Sequence, residues 1–203
     1  MKFWALVLLG SVAFAQDERR VSSPNGQVEF RLFISTQPDS NLSRIAYEVF
    51  SKGKPLIKTS FMGLDIQDQE PLLGENVGLT SSVSGTSPKY NSLVAKYMQN
   101  GSLGRLINVE VRAYDDGVAF RYVIPRSTPL IEILIAEEDT EFHVANPELV
   151  TITESDSRNY PPMRLDKAMV TRLARPYSGT TPLTCPWRII SIRPATLRLA
   201  TAP

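Results

Sequence analysis

Apolar side chains recur at every second position along much of this chain, and the first clear run is Val28, Phe30, Leu32 and Ile34. A period of two places successive side chains on opposite faces of an extended backbone, so Gln27 to Ile34 is predicted as a half-buried strand. Ile45, Tyr47 and Val49 alternate in the same way with Ala46, Glu48 and Phe50. Turn-forming clusters bound both runs: Ser22-Ser23-Pro24-Asn25-Gly26 before the first, Lys52-Gly53-Lys54-Pro55 after the second. Leu56-Ile57, Met62 to Ile66 and Val77 to Val83 continue the pattern, and no helical period appears in this half. Short strands spaced by Gly and Pro predict an all-β fold, a large antiparallel β-sandwich or barrel.

The second half is less regular. Ser84 to Tyr97 is polar and ambiguous, Asn100-Gly101 carries a hairpin signal, and Leu103 to Asp115 leads into the most ordered stretch of the sequence. That stretch is Val111-Arg112-Ala113-Tyr114-Asp115-Asp116-Gly117-Val118-Ala119-Phe120-Arg121-Tyr122. With Asp116-Gly117 as a two-residue type I′ loop, Asp115 faces Val118 and Ala113 faces Phe120, on an apolar side. The opposite side then sets Arg112 against Arg121, a like-charge pair that either clamps an anion between its guanidinium forks or is held by carboxylates from neighbouring strands, with Glu110 and Glu141 as candidates. Further strands are predicted at Ile131 to Ile135, Thr140 to Ala145, Val150 to Glu154, Met169 to Ala174 and Arg188 to Ile192. Residues 193–203 read as an unstructured tail.

Composition narrows the function classes. The 203 residues carry 22 Lys+Arg against 21 Asp+Glu, so the balance gives no reason to expect a nucleic-acid partner. A hydrophobic content of 42% supports a packed core, and 15 Pro with 11 Gly favour turns over long helices. One cysteine, Cys185, allows no internal disulfide. The one histidine, His143, reads as a structural or surface residue, because a catalytic histidine needs a partner group within hydrogen-bond reach.

Residues 1–15 have the layout of a cleavable signal peptide: Lys2 as positive flank, Phe3 to Val12 as apolar run, and Ala13-Phe14-Ala15 as the small-x-small end. The expected location is secreted or periplasmic. No later apolar run is long enough for a membrane span.

Three stretches, in order, resemble the N-terminal β-sandwich domain of glycoside hydrolase family 97, the α-glucosidase and α-galactosidase family. The first is Ser22-Ser23-Pro24-Asn25-Gly26 with its strand, then Lys52-Gly53-Lys54-Pro55 and Gly63-Leu64. Arg112 to Tyr122 is the second and most specific. The third is Ile152-Thr153-Glu154-Ser155, with Tyr160-Pro161, Met163 and the later Pro186-Trp187-Arg188. The resemblance runs from about Val21 to Ile192 and implies a galactose-mutarotase-like super-sandwich over 16–192. The sequence departs from the family in the short link between Val144 and Ile152, where the family has an aromatic-bearing insertion, and in Pro162, where the family usually has Gly.

The resemblance also implies a role. In the family the sandwich precedes a catalytic (β/α)₈ barrel, and no stretch here looks like the barrel's acid or base motifs, so no catalytic residue is assigned. A family calcium ion beside the substrate takes a glutamate at the Ile-Thr-Glu position, which is Glu154 here. Calcium wants roughly 6–8 oxygen ligands, so Glu154 alone is far short of a site, and calcium is expected only in the complete enzyme. Asp156 is a weaker second oxygen. The expectation is a non-catalytic domain that supports a barrel, borders an α-glucoside or α-galactoside pocket and contributes Glu154. Two other readings stay open. One is a free-standing carbohydrate-binding module using Trp187, Tyr90, Tyr97, Tyr160 or Tyr177; the other is an interaction sandwich without ligand.

Overall fold

The computed structural model describes residues 16–37, 40–101, 104–145, 149–153, 163–164, 177–180, 182–193 and 196–202. Seventeen strands follow in chain order. The first eight are β1 (Gln16–Ser22), β2 (Val28–Thr36), β3 (Ser43–Ser51), β4 (Lys54–Phe61), β5 (Leu64–Ile66), β6 (Gln69–Leu73), β7 (Val77–Thr86) and β8 (Asn91–Gln99). Then come β9 (Leu106–Tyr114), β10 (Gly117–Ile124), β11 (Glu132–Glu138), β12 (Leu149–Thr153), β13 (Met163–Arg164), β14 (Tyr177–Thr180), β15 (Leu183–Thr184), β16 (Trp187–Arg193) and β17 (Thr196–Ala202). No helix occurs among the described residues. The fold is an all-β sandwich.

Two four-stranded sheets, β1-β2-β3-β4 and β14-β11-β5-β6, share one core with a nine-stranded sheet. The large sheet runs β13-β12-β17-β16-β10-β9-β8-β7, with β15 attached to β10. Every pairing between these strands is antiparallel except β12 with β17, which is parallel. The period-two runs explain the layers: Phe30, Leu32, Ile45, Tyr47 and Val49 turn inward from β2 and β3, and Val109, Val111, Phe120 and Tyr122 meet them from β9 and β10. At the centre Tyr47 stacks on Phe30 at 5.3 Å between ring centroids and leans on Phe120 at 5.2 Å. Aromatic pairs at such spacing add about 0.5–1.5 kcal/mol beyond the area they bury.

The central hairpin forms in a different register from the expected one. Tyr114 pairs with Gly117 and Ala113 with Val118, so the two-residue loop is Asp115-Asp116. Neither aspartate has a positive φ, and the loop is therefore not type I′. Two constraints fix it. The Asp115 carboxylate accepts the Asn25 amide at 3.0 Å, and Gly117 lies so close to β16 that a Cβ there would collide with the Ile190 carbonyl oxygen. Gly117 thus serves strand packing rather than turning. The slip is two residues, so inward and outward faces keep their assignment, yet Arg112 now faces Ala119 and Arg121 faces Glu110. The type I′ geometry occurs instead at Lys52-Gly53, with φ of 51° and 74°, where Ser51 pairs with Lys54.

Three other expectations change. Thr140 to Ala145 is no strand; it runs beside β4, joined to it by a bridge between Val144 and Ile57 and by backbone hydrogen bonds such as Lys58 N–H to the His143 carbonyl at 2.8 Å. Asn100-Gly101 opens a longer loop, closed where the Gln99 amide donates to the Arg105 carbonyl at 2.8 Å. Within the expected tail, Thr196–Ala202 pairs along the whole of β16, from Trp187 with Ala202 to Arg193 with Thr196. The signal segment 1–15 and the strand expected at Met169 to Ala174 lie outside the described residues.

Candidate functional site

The second and third resemblance stretches meet on the large sheet. Arg112 and Glu110 of β9, Ala119 and Arg121 of β10, and Trp187 and Ile189 of β16 share its outer face, because inward positions alternate with them. Glu110 accepts from Arg121 at 2.7 and 2.8 Å, one of the two carboxylate partners expected for the arginine pair. Arg112 pairs with no carboxylate among the described residues. Its guanidinium reaches over the small Ala119 to the Trp187 ring at 4.5 Å and also lies 4.9 Å from the Tyr90 ring, while Arg121 sits 4.4 Å from Trp187. Such cation–π contacts are each worth about 0.5–1 kcal/mol at a partly exposed site. Beside them opens a shallow cleft of about 320 Å³, walled by Tyr114, Ile189 and Ser191 with Asp116 at its rim.

Beneath this face lies a buried polar network. Arg188, adjacent to Trp187 but pointing inward, forms a two-pronged ion pair with Glu138: Nε donates to Oε1 at 2.7 Å and Nη2 to Oε2. Their side chains are 1% and 2% exposed. Thr140 Oγ1 donates to the same Glu138 Oε1 at 2.9 Å and lies 2.6 Å from the Tyr122 hydroxyl. Burial first, then the Glu138 charge, pushes the Tyr122 hydroxyl well above its ordinary pKa. The network ties β16 and β10 to the end of β11. Its role is to hold the two layers together.

A second cleft, about 530 Å³, is lined by Thr36, Gln37, Thr59, Phe61, Glu141 and His143. His143 Nδ1 is 2.9 Å from the Thr59 carbonyl oxygen, and its Nε2 is 3.5 Å from Glu141 Oε2. Glu141 also accepts the Phe61 amide at 3.2 Å, so it serves β4 and the histidine rather than the arginines. Hydroxyl, amide, imidazole and carboxylate groups around an aromatic ring can hydrogen-bond a polyhydroxylated ligand.

Glu154, Asp156 and Tyr160 lie outside the described residues, and among the described residues no three His, Cys, Asp or Glu side chains converge on a metal position. The backbone still relates β12 to the outer-face cluster. Thr153, Ala200, Ile189, Ala119 and Arg112 are successive partners across β12, β17, β16, β10 and β9. At about 4.8 Å per strand, Thr153 stands roughly 10 Å from Ile189 along that row. Of the aromatics considered for a sugar platform, Tyr97 is fully buried, Tyr90 packs on Tyr114 and Arg112, and Trp187 is engaged by two guanidiniums.

Comparison with known proteins settles the lineage of this sandwich. A family model described as "Glycosyl-hydrolase 97 N-terminal" matches residues 21–150. The chain belongs to that family. Solved structures agree in fold. An arginine-to-lysine variant of a glycoside hydrolase family 97 enzyme from Pseudoalteromonas sp. strain K8 matches with a TM-score of 0.58 at 18% identity, covering 91% of this chain and 32% of that one. A family 97 enzyme from the same strain in complex with acarbose gives 0.52 at 24% identity, over 66% of this chain and 21% of that one. A β-arabinopyranosidase gives 0.52 at 18% identity, over 87% and 30%. The chain therefore spans about a fifth to a third of these enzymes. A comparison with curated proteins finds no match. The family 97 N-terminal match covers β2 to β11, so Arg112 and Arg121 lie inside it, whereas Trp187 and Arg188 lie beyond it.

Proposed function

We propose that this chain is the non-catalytic sandwich of a secreted or periplasmic family 97 glycosidase, exported by its first 15 residues. It supports a catalytic barrel, borders the oligosaccharide pocket and offers Glu154 as one oxygen ligand to a calcium ion completed from elsewhere. The observation that carries this reading is the family match over residues 21–150 in a chain that spans only part of its solved relatives. A related enzyme has been solved with acarbose and another form with panose, which makes an α-linked oligosaccharide the natural ligand class. Glycoside hydrolysis needs two carboxylates placed across the scissile bond, and neither described cleft offers such a pair. The calcium would supply charge at the sugar; this chain's share is a single carboxylate.

Purified chain incubated with aryl α-glucoside and aryl α-galactoside should show no turnover, and measurable hydrolysis would refute the reading. In an enzyme carrying this sandwich together with a barrel, Glu154→Gln should weaken calcium binding measured by calorimetry. The alternative, a free-standing sugar module, draws support from the cleft beside Trp187 and Tyr114. Titration of Trp187 fluorescence with maltooligosaccharides separates the two, since a module must give a saturable change.

A further inference from the structure

Two roles were open for Arg112 and Arg121, an anion clamp or a pair held by carboxylates, and the structure divides them between the two residues. Arg121 gives its Nε and Nη2 to Glu110. Arg112 instead lies over two rings, 4.9 Å from Tyr90 and 4.5 Å from Trp187, and its guanidinium makes no hydrogen bond among the described residues. None of its nitrogens is sealed from solvent: the buried side-chain nitrogens and oxygens without a partner among the described residues belong to Arg44, Tyr97 and Arg105. The rings attract the cation through their quadrupoles and supply no oxygen acceptor, so its N–H donors remain for one.

Arg112 borders the cleft of about 320 Å³, and Ala119 and Trp187, which its guanidinium crosses and meets, line it too. The frame is β9, the Asp115-Asp116 turn, β10 and β16. Ala119 and Ile189 give the cleft an apolar floor, and Tyr114 and Ser191 carry hydroxyls that make no hydrogen bond among the described residues. An apolar floor with hydroxyls beside it suits the C–H face and hydroxyl rim of a pyranose, and the volume has room for one ring rather than a chain of them. A neutral sugar needs an open aromatic platform, yet the Trp187 ring already carries guanidiniums at 4.4 and 4.5 Å. What the cleft offers beyond its shape is a cation.

We propose that the cleft is a binding site for an acidic monosaccharide unit, a uronic acid, whose carboxylate takes the Arg112 fork while its ring lies over Ala119 and Ile189. Guanidinium and carboxylate match in geometry, and the two aromatic rings place the arginine before the ligand arrives, so little side-chain entropy is lost on binding. Asp116, exposed at the rim, is a like charge that weakens the attraction without occupying Arg112. The site needs no barrel and no calcium, so turnover of aryl glycosides by the chain would refute the proposed function and leave this site standing.

Amide NMR of the whole chain titrated with sodium glucuronate, against glucose, glucuronate methyl ester and sodium acetate at equal ionic strength, tests the proposal. The expected result is a saturable shift of the Trp187 indole and of the Gly117 and Ala119 amides with glucuronate, and affinity weaker by at least about five-fold for the ester, glucose and acetate. Arg112→Met should abolish the response, and Arg112→Lys, which keeps the charge and loses the fork, should weaken it roughly three- to ten-fold. If Arg112→Met does not fold, the ester comparison and Arg112→Lys decide. Ester or glucose binding as well as glucuronate, acetate matching it, a response retained in Arg112→Met, or no saturable response at all overturns the proposal.

Discussion

Replacing Arg188 with Met tests how the two layers are held together. Glu138 accepts Arg188 through both carboxylate oxygens and otherwise accepts only the Thr140 hydroxyl among the described residues. Arg188→Met fills much of the same volume but strands a carboxylate that is 2% exposed. Removing one partner of a buried pair costs about 3–5 kcal/mol, which at an m value of about 2 kcal/mol/M moves a urea midpoint down by roughly 2 M. Adding Glu138→Leu removes the stranded charge and should recover most of the loss. Urea titrations at neutral pH on the parent, single and double variants provide the measurement. A single-variant cost under about 1 kcal/mol, or no recovery in the double, would refute the reasoning.

Burial holds the hydroxyls of Tyr47, Tyr97 and Tyr122 above the ordinary tyrosine pKa. Their stabilising effect is complete below pH 10 and is lost as pH rises above it, at about 1.4 kcal/mol per pH unit for each group that ionises only on unfolding; absorbance at 295 nm should show them titrating together with unfolding. Gly117→Ala should cost about 1–3 kcal/mol in chemical denaturation, because the added Cβ has the Ile190 carbonyl oxygen in its way, and a neutral result would mean that β16 lies farther from β10. Arg112→Met should lower stability by about 1 kcal/mol through the two lost ring contacts and shift Trp187 emission. Unchanged emission would argue that the guanidinium does not rest on that ring.

The layers were legible because burial of one face leaves a period-two trace. Phe30, Leu32, Tyr47, Val49, Ala113 and Phe120 all lie buried, on the side that counting by twos gives them. The hairpin register slipped by two without changing any face, since turn chemistry at Asp116-Gly117 gave way to the close approach of β16, a neighbour distant in sequence. β17 was missed for a related reason: prolines bracket Thr196–Ala202, and its partner is recognisable only once β16 is in place. The candidate site was less legible. The pairing of Glu138 with Arg188 and the contact of Arg112 with Trp187 arise from three-dimensional neighbours, and neither leaves a spacing signal. Glu110 was foreseen for Arg121, whereas Glu141 turned to His143.

The contact between β10 and β16 joins residues far apart in sequence and implies an order of assembly. From β7 to β10 the large sheet grows through successive hairpins, each closing a short loop, while β16 must return to Phe120 from as far along the chain as Arg188. Long-range closure is slow because its entropy must be overcome before contacts form. During synthesis β10 therefore waits as an exposed edge, its outward Arg121 guarding it against pairing with another chain, until β16 and β17 have emerged. A ribosome pausing before residue 187 would hold a half-built sandwich with the β10 edge uncovered.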